Sequence, residues 1–422
     1  MSRIILTTWG SLGDLHPILA LSLGLRDHYH DVVVATTEVY RTQVEALGLE
    51  FQSIRPDLPE DPQVVKQLMD PKAGPELVLK DLVLGNIRDT YEDLMAIAKD
   101  ADFLIAHEIV YVAPLVAEVL KLRWASCALA PNAFFSAYEP IVTSVYPALA
   151  KLHHFGPGIN RWVVKFAKFV TRSWGKPVYE LRQELGLSPI QNPIVGNDKY
   201  SPYLVLALFS SLLGTPKPDW PPRIVTTGFT FYDGNQGQPL TPELEDFLSS
   251  GEPPLVFTLG SAAVNAPGDF YAESVQAAIK LDRRAVLLLG KNSPPENLPD
   301  SIFACDYAPY SKIFPRACAI VHQGGIGTTA QALRAGRPTL IVPYSLDQPD
   351  NAARVQRLGT SRTISRQQYS ASRITEELSQ LIEVPSYETK AAEIGRIIHS
   401  EDGVGVACDA VEKQLEEVAI TS

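Results

Sequence analysis

The sequence predicts an α/β chain built of two doubly wound halves, and three observations carry that prediction. Strand-like and helix-like runs alternate from Arg3 to Ala130. The same alternation returns after a proline-dense stretch near the middle. The second half contains "ACAIVHQGGIGTTAQAL", which reads as a strand, a glycine turn and a helix start. Strands separated by helices imply right-handed βαβ units and a parallel sheet. A chain of 422 residues, 45% of them hydrophobic, is long enough for two large domains.

Taken in order, "RIILTTW" is a β-rich run that ends in "GSLGD" and leads into the helical pattern "HPILALSLGLRD". "DVVVATT" is a second strand, with a helix in "YRTQVEALG". "DFLIAHE" is a strand, "VAPLVAEVLKL" a helix and "WASCALAP" a strand. "YLVLALFSSLLG" is the nearest approach to a membrane span, yet it is short enough to be a buried strand. The second half repeats the pattern: "PPLVFTLGS", "RAVLLLG", "ACAIVHQ" and "PTLIVPY" are strands, and "FYAESVQAAIKL" and "TTAQALRAG" are helices. Between the halves, "GTPKPDWPPRIVTTG" holds Pro216, Pro218, Pro221 and Pro222. That density breaks helices and central strands and marks a linker. The boundaries expected are 1–213 and 214–395, followed by 396–422. Residues from about 134 to 190 are less regular and read as an inserted, substrate-specific piece.

Composition narrows the function. The net charge of −11 argues against nucleic acid as a partner, because such proteins present a strongly basic surface. Cys127, Cys305, Cys318 and Cys408 show no CxxC spacing and read as free thiols of a reducing compartment. "MSRIILTTWG" is too short in its apolar run for a signal peptide. A soluble, cytoplasmic protein is expected.

The glycine loop reads in two ways. Its glycines let backbone N–H groups approach a ligand closely, and a helix N-terminus adds about half a positive charge, which together suit a phosphate. Thr328 or Thr329 could cap the helix. The other reading is a tight strand-to-helix turn with no ligand. No GK[ST] follows, and the pattern is not G-x-G-x-x-G, so neither familiar nucleotide loop applies.

Read together, "DYAPYSKIFPRACAIVHQGGIGTTAQALRAGRPTLIVPYSLDQPDNAARVQRLG" resembles the nucleotide-sugar signature of family 1 glycosyltransferases. "GSLGDLHPILALSLGLRDHYHDVVVAT", "VYELRQELGLSP" and "PPLVFTLGS" look like the bacterial branch that glycosylates sterols, lipids and glycopeptide or macrolide antibiotics. The resemblance covers nearly the whole chain. It implies a GT-B fold: an N-terminal acceptor domain, a C-terminal donor domain, a cleft between them and a last helix that crosses back.

Residue by residue, the resemblance puts Tyr307 on the nucleotide base, paired at its edge by the backbone of Ala308. Ser261 would touch the diphosphate, with Ser11 and Gly13 also on the donor side. Gly324, Gly325, Gly327 and Thr328 would cradle the phosphates. Asp347 and Gln348 match the pair that grips sugar hydroxyls, and Asn351 follows at the usual spacing. Asp14 occupies the base position. Two departures stand out. The family histidine beside the diphosphate aligns with Gln323, with His322 one residue earlier. The glutamate that holds the ribose diol aligns with Gln331, whose neutral amide grips a diol less firmly than a carboxylate.

The implied chemistry must stabilise a departing diphosphate and deprotonate an acceptor hydroxyl. Asp100-Ala101-Asp102 is the one D-x-D sequence, and it precedes a strand rather than following one, so it reads as surface charge. The glycine loop and helix dipole can do a metal's work, and no metal or cofactor is expected, only a UDP- or dTDP-sugar co-substrate. Asp14 follows the first strand, where open α/β sheets hold ligands. A free aspartate, with a pKa of about 3.9, is a poor base that burial would improve. Asp14 could equally cap the helix entered at His16-Pro17. His16 is a second candidate base, and His107 stands where a partner for the base is placed. Single displacement with inversion is the implied course, most simply of glucose onto a hydrophobic acceptor. A non-hydrolysing sugar-nucleotide epimerase would share the fold.

"RWVVKFAKFVTRSWGKPVY" contains no acidic residue. Arg161, Lys165, Lys168 and Arg172 recur at helical spacing, with Trp162, Phe166 and Phe169 elsewhere around the helix. Such a helix, spanning about 161–176, can lie on an anionic membrane surface. It can equally pack its apolar side inward and leave a solvated basic face.

Overall fold

A computed structural model describes residues 1–59, 61–143, 155–234 and 239–421. The chain divides into two compact units. The first comprises Met1–Glu60, Ala73–Tyr232 and Asp402–Ser422; the second comprises Asp61–Lys72 and Asp233–Glu401.

The first unit holds a seven-stranded sheet in the order β3-β2-β1-β4-β5-β6-β7. Its strands are β1 (Arg3–Thr7), β2 (Asp31–Thr36), β3 (Glu50–Ser53), β4 (Phe103–His107), β5 (Trp124–Ala128), β6 (Leu204–Ala207) and β7 (Ile224–Thr226). The second unit holds six strands in the order β10-β9-β8-β11-β12-β13. These are β8 (Leu255–Thr258), β9 (Ala285–Leu288), β10 (Ile302–Cys305), β11 (Ala319–His322), β12 (Thr339–Ile341) and β13 (Ser361–Thr363). Every pairing is parallel. Each sheet therefore reverses strand order once, between β1 and β4 and between β8 and β11. Doubly wound sheets bind ligands at such switch points.

All the strands read from the sequence are present, and "YLVLALFSSLLG" contributes β6. The four strands that the reading did not find are β3, β7, β10 and β13, which are the edges of the two sheets. Central strands such as β4 and β8 are buried throughout and appear as continuous apolar runs. An edge strand pairs on one side only, and its half-exposed residues leave no such run; β7 has no fully buried residue.

The proline-dense stretch does more than link. It carries β7, which pairs with β6 through Val205↔Ile224 and Ala207↔Thr226, so residues 214–232 stay with the first unit. The chain returns to that unit at Asp402, a few residues later than the expected 396. Its final helix, Gly403–Thr421, packs on α1 (Leu12–Asp27) with Ala407, Cys408 and Val411 fully buried.

The basic segment forms α2 (Pro157–Thr171). Its apolar side is not turned inward: Trp162 is 72% exposed, Phe166 66% and Phe169 76%. The inner face is narrow instead. Asn160 is buried, and Asn192 donates to Lys168 O at 2.8 Å and to Thr171 Oγ1 at 3.3 Å. The sequence leaves His153 and His154 as exposed loop histidines, and both lie outside the described residues. Among the described residues no helix is long and apolar enough to cross a membrane.

Candidate active site

In each unit, side chains that the sequence singles out gather at the switch point of the sheet. In the first unit, α1 begins at Leu12, two residues before Asp14, with Ser11 as its cap. Asp14 is therefore not the cap but the third helical residue, and Pro17 lies inside the helix. The Asp14 carboxylate reaches back and accepts from Ser11 N at 2.8 Å and from Ser11 Oγ at 3.2 Å, while Ser11 Oγ accepts from Gly13 N at 3.3 Å. This reciprocal capping box fixes the carboxylate. Gly10 has φ +134, and a Cβ there would lie 2.4 Å from Asp14 Oδ2, so only glycine leaves room for the carboxylate.

The parallel register of β1 and β4 sets Leu6 against Ile105 and Thr7 against Ala106, which brings His107 beside the end of β1. His107 is buried, and its Nδ1 lies 3.1 Å from Thr8 Oγ1, which also reaches Asp14 O at 3.4 Å. Burial pushes the Asp14 carboxyl above its ordinary 3.8, with His107 and the Ser11 bonds pulling less strongly the other way. Burial pushes the His107 ring below 6.5, opposed by the charges of Asp14 and Glu108. Tyr40 belongs to the same cluster through a 3.0 Å bond to Gly10 O. Thr8 and Tyr40 were not legible in the sequence as site residues, since neither belongs to a motif. The His16 ring packs against Tyr232 at 5.0 Å and its Nε2 lies 3.5 Å from Gln43 Nε2.

A small pocket in the first unit is lined by Trp9, Ile54, Pro56, Ile109 and Tyr111, among others. Trp9 is held by a 2.7 Å bond to Pro56 O.

In the second unit the glycine loop joins β11 to α3 (Ile326–Ala335). The cap is Gly325, not Thr328 or Thr329, and its backbone is extended. Gly324 has φ +92, and a Cβ there would meet Ile341 Cγ2 at 2.8 Å and Gln348 O at 3.1 Å. His322 is fully buried at the end of β11, where its Nδ1 accepts from Gly324 N at 3.1 Å. Burial pushes its pKa down to about 3, so the ring is neutral, and its Nε2 has no partner. Gln323 extends into the loop: its Nε2 lies 3.4 Å from Thr328 Oγ1 and would meet a Cβ on Gly260 at 2.2 Å. Its buried Oε1 has no partner. The loops after β8 and β11 thus meet here, with Ser261 next to Gly260. Thr258, at the end of β8, accepts from Gly260 N at 3.2 Å, and its Oγ1 lies 2.9 Å from the OH of Tyr310, which follows β10.

Asp347 caps α4 (Gln348–Arg357), and its Oδ2 accepts from Ile326 N at 3.2 Å and from Asn351 Nδ2 at 2.6 Å. Asn351 also donates to Gly324 O at 3.0 Å. Gln348 is buried, with Oε1 accepting from Tyr344 N at 2.7 Å and Ser345 N at 3.2 Å. Asp347, Gln348 and Asn351 therefore brace the glycine loop and the turn before α4. Tyr307 stands 68% exposed after β10, and Ala308 is buried behind it. Gln331 is tied to a residue that the sequence reading did not single out: its Nε2 donates to Asp233 Oδ1 at 3.0 Å, while its Oε1 accepts from Arg334 at 2.7 Å and Arg334 also pairs with Asp233. Asp233 is 98 residues away in sequence, and no motif announces it.

Asp102, from the D-x-D sequence, accepts from Arg3 N at 2.7 Å. That bond lies at the N-terminal ends of β1 and β4, opposite the switch point.

Residues 4–126 match the glycosyltransferase family 28 N-terminal domain, and residues 272–402 match the C-terminal domain of the erythromycin biosynthesis protein CIII-like family. The chain is 33% identical to O-mycaminosyltylonolide 6-deoxyallosyltransferase of Streptomyces fradiae, over 98% of each. It is 27% identical to a sterol 3-beta-glucosyltransferase of Arabidopsis thaliana, over 98% of its own length and 66% of that relative's. The solved glycotransferase of kitacinnamycin shares the fold, with a TM-score of 0.74 at 21% identity over 98% of each chain. The glycosyltransferase VinC, solved with dTDP, has a TM-score of 0.68 at 18% identity, over 98% of this chain and all of that one. The fold is GT-B. The chain belongs to the family 1 glycosyltransferases, in their bacterial antibiotic branch. It is a glycosyltransferase, and none of these relatives supports the epimerase alternative.

Proposed function

We propose that this glycosyltransferase moves a hexose, glucose first among them, from a UDP- or dTDP-sugar to a hydroxyl of a hydrophobic acceptor, with inversion and without a metal. The observation that carries the reading is the Asp14 carboxylate, held by Ser11 beside His107 at the switch point of the first sheet. Asp14 takes the proton of the acceptor hydroxyl. The acceptor oxygen forms a bond to the anomeric carbon from the side opposite the diphosphate, and the carbon–oxygen bond to the diphosphate breaks with its electron pair. One displacement inverts that carbon. A carboxyl raised towards working pH is a better base than a free aspartate. His107, buried and bonded to Thr8, positions the end of β1. On the donor side, the N-terminus of α3 and the loop amides offset the charge of the departing diphosphate. The unpartnered His322 Nε2 and Gln323 Oε1 are buried polar groups that a bound donor or water could satisfy. The free cysteines fit a reducing compartment, and we read the protein as cytoplasmic.

The test is Asp14→Asn. Transfer should fall by about 10²–10⁴-fold while nucleotide affinity stays near wild type. A loss smaller than about tenfold would remove Asp14 as the base and turn attention to His16→Ala. Activity that survives exhaustive chelation would support the metal-free course; loss restored by a divalent cation would overturn it.

A further inference from the structure

The helix α2 presents three sectors. At about 100° per residue, Ile159, Trp162, Phe166, Phe169 and Val170 fall within about 100° of arc. All five are exposed. Arg161, Lys165, Lys168 and Arg172 fill an adjoining arc of about 60°. The remaining arc holds Asn160, which is buried, and Thr171, whose Oγ1 accepts from Asn192 Nδ2 at 3.3 Å. Two of the basic side chains lie against aromatic rings, Lys165 over Trp162 at 5.0 Å and Arg161 over Tyr138 at 5.7 Å.

Exposed large aromatics in one contiguous stripe are unusual on a soluble surface and mark an interaction site. The charge beside them identifies the partner. No acidic residue occurs from Pro140 to Tyr179, although the whole chain carries −11. The helix therefore sets a basic arc next to an exposed aromatic one. Such a helix face calls for a partner that takes both groups at once. A bilayer interface does, because aromatic side chains enter the headgroup layer while lysine and arginine meet anionic lipid heads.

We propose that α2 docks the protein on an anionic lipid surface, lying in the headgroup layer with Trp162, Phe166 and Phe169 inserted. The contact is peripheral and reversible, and it would draw a water-insoluble acceptor and the first unit to the same surface. The docking does not depend on which acceptor is used, and its test needs no sugar transfer.

The test is co-sedimentation of the full chain with vesicles of equal parts phosphatidylcholine and phosphatidylglycerol, and with phosphatidylcholine alone. The protein should bind the mixed vesicles at low salt and lose binding as salt rises. Phe166→Ser with Phe169→Ser should weaken binding by about tenfold or more. Lys165→Glu with Lys168→Glu should abolish the preference for the anionic vesicles. Trp162 fluorescence should shift to the blue on binding. Circular dichroism should leave both variants folded, since every altered side chain is on the surface or at its edge. No binding to the mixed vesicles would overturn the proposal. So would equal binding by wild type and both variants, or a wild-type dimer in solution that the phenylalanine variant dissociates.

Discussion

At the scale of single residues, Asp14 combines two roles that a sequence reading sets against each other. It helps to close the first turn of α1 by accepting from Ser11, and it presents a half-buried carboxylate at the switch point. The combination has a cost in stability. Its folded pKa lies above the ordinary value, so the fold favours the protonated form. The stability linked to that proton is fully present at low pH and is lost as pH rises through the folded value. Asp14→Asn should therefore raise the melting temperature at pH 7, and the gain should shrink as the solution is acidified. A lower melting temperature at pH 7 would mean that the carboxylate is a net anchor. The same shift sets the pH profile: kcat/KM should fall on the acid side at a pH above 3.8, the ordinary aspartate value. Gln331 gives a second residue-scale prediction. Its amide already joins Asp233 and Arg334, and a neutral amide reads a ribose hydroxyl weakly. UDP and dTDP should bind within about a hundredfold of each other, or about 2.7 kcal/mol, in a competition titration. A larger preference for UDP would show firm reading of the 2′-hydroxyl and would point to Asp233 as its acceptor.

At the scale of elements, the loop between β11 and α3 separates conformational need from ligand approach. Gly324 requires a positive φ and has no room for a Cβ. Gly324→Ala should cost about 1–3 kcal/mol of stability and weaken donor binding together. Gly327 lies inside α3 and is not among the positive-φ residues. Gly327→Ala should therefore keep the melting temperature within a few degrees, yet raise KM for the nucleotide sugar. Equal melting losses for both variants would mean that the loop's glycines serve the fold alone. The loop was legible in the sequence because a strand, three glycines and a helix stand in one continuous run. Its bracing was less legible. Asn351 and Asp347 reach it from the start of α4, and only folding brings the Asp347 carboxylate to Ile326 N.

At the scale of the molecule, the last helix shows how the chain returns to its first unit. Gly24 on α1 leaves room for it: a Cβ there would meet Val404 Cγ1 at 2.5 Å and Cys408 Sγ at 3.0 Å. Gly24→Val should overpack that contact and cost about 1–3 kcal/mol, seen as a lower denaturation midpoint at an unchanged slope. A neutral result would mean that the helix shifts freely on α1. What the sequence by itself determined was the class of fold, the central strands, the glycine loop and the family. All of these are written in contiguous runs whose period and apolar content survive without neighbours. What only the tertiary structure decided were the edge strands, the tie between Gln331 and Asp233, the setting of Asp14 among Ser11, Thr8 and His107, and which side of α2 faces water. Each of those depends on a pairing between distant segments. Local periodicity fixes which residues share a face, but only packing decides what that face meets.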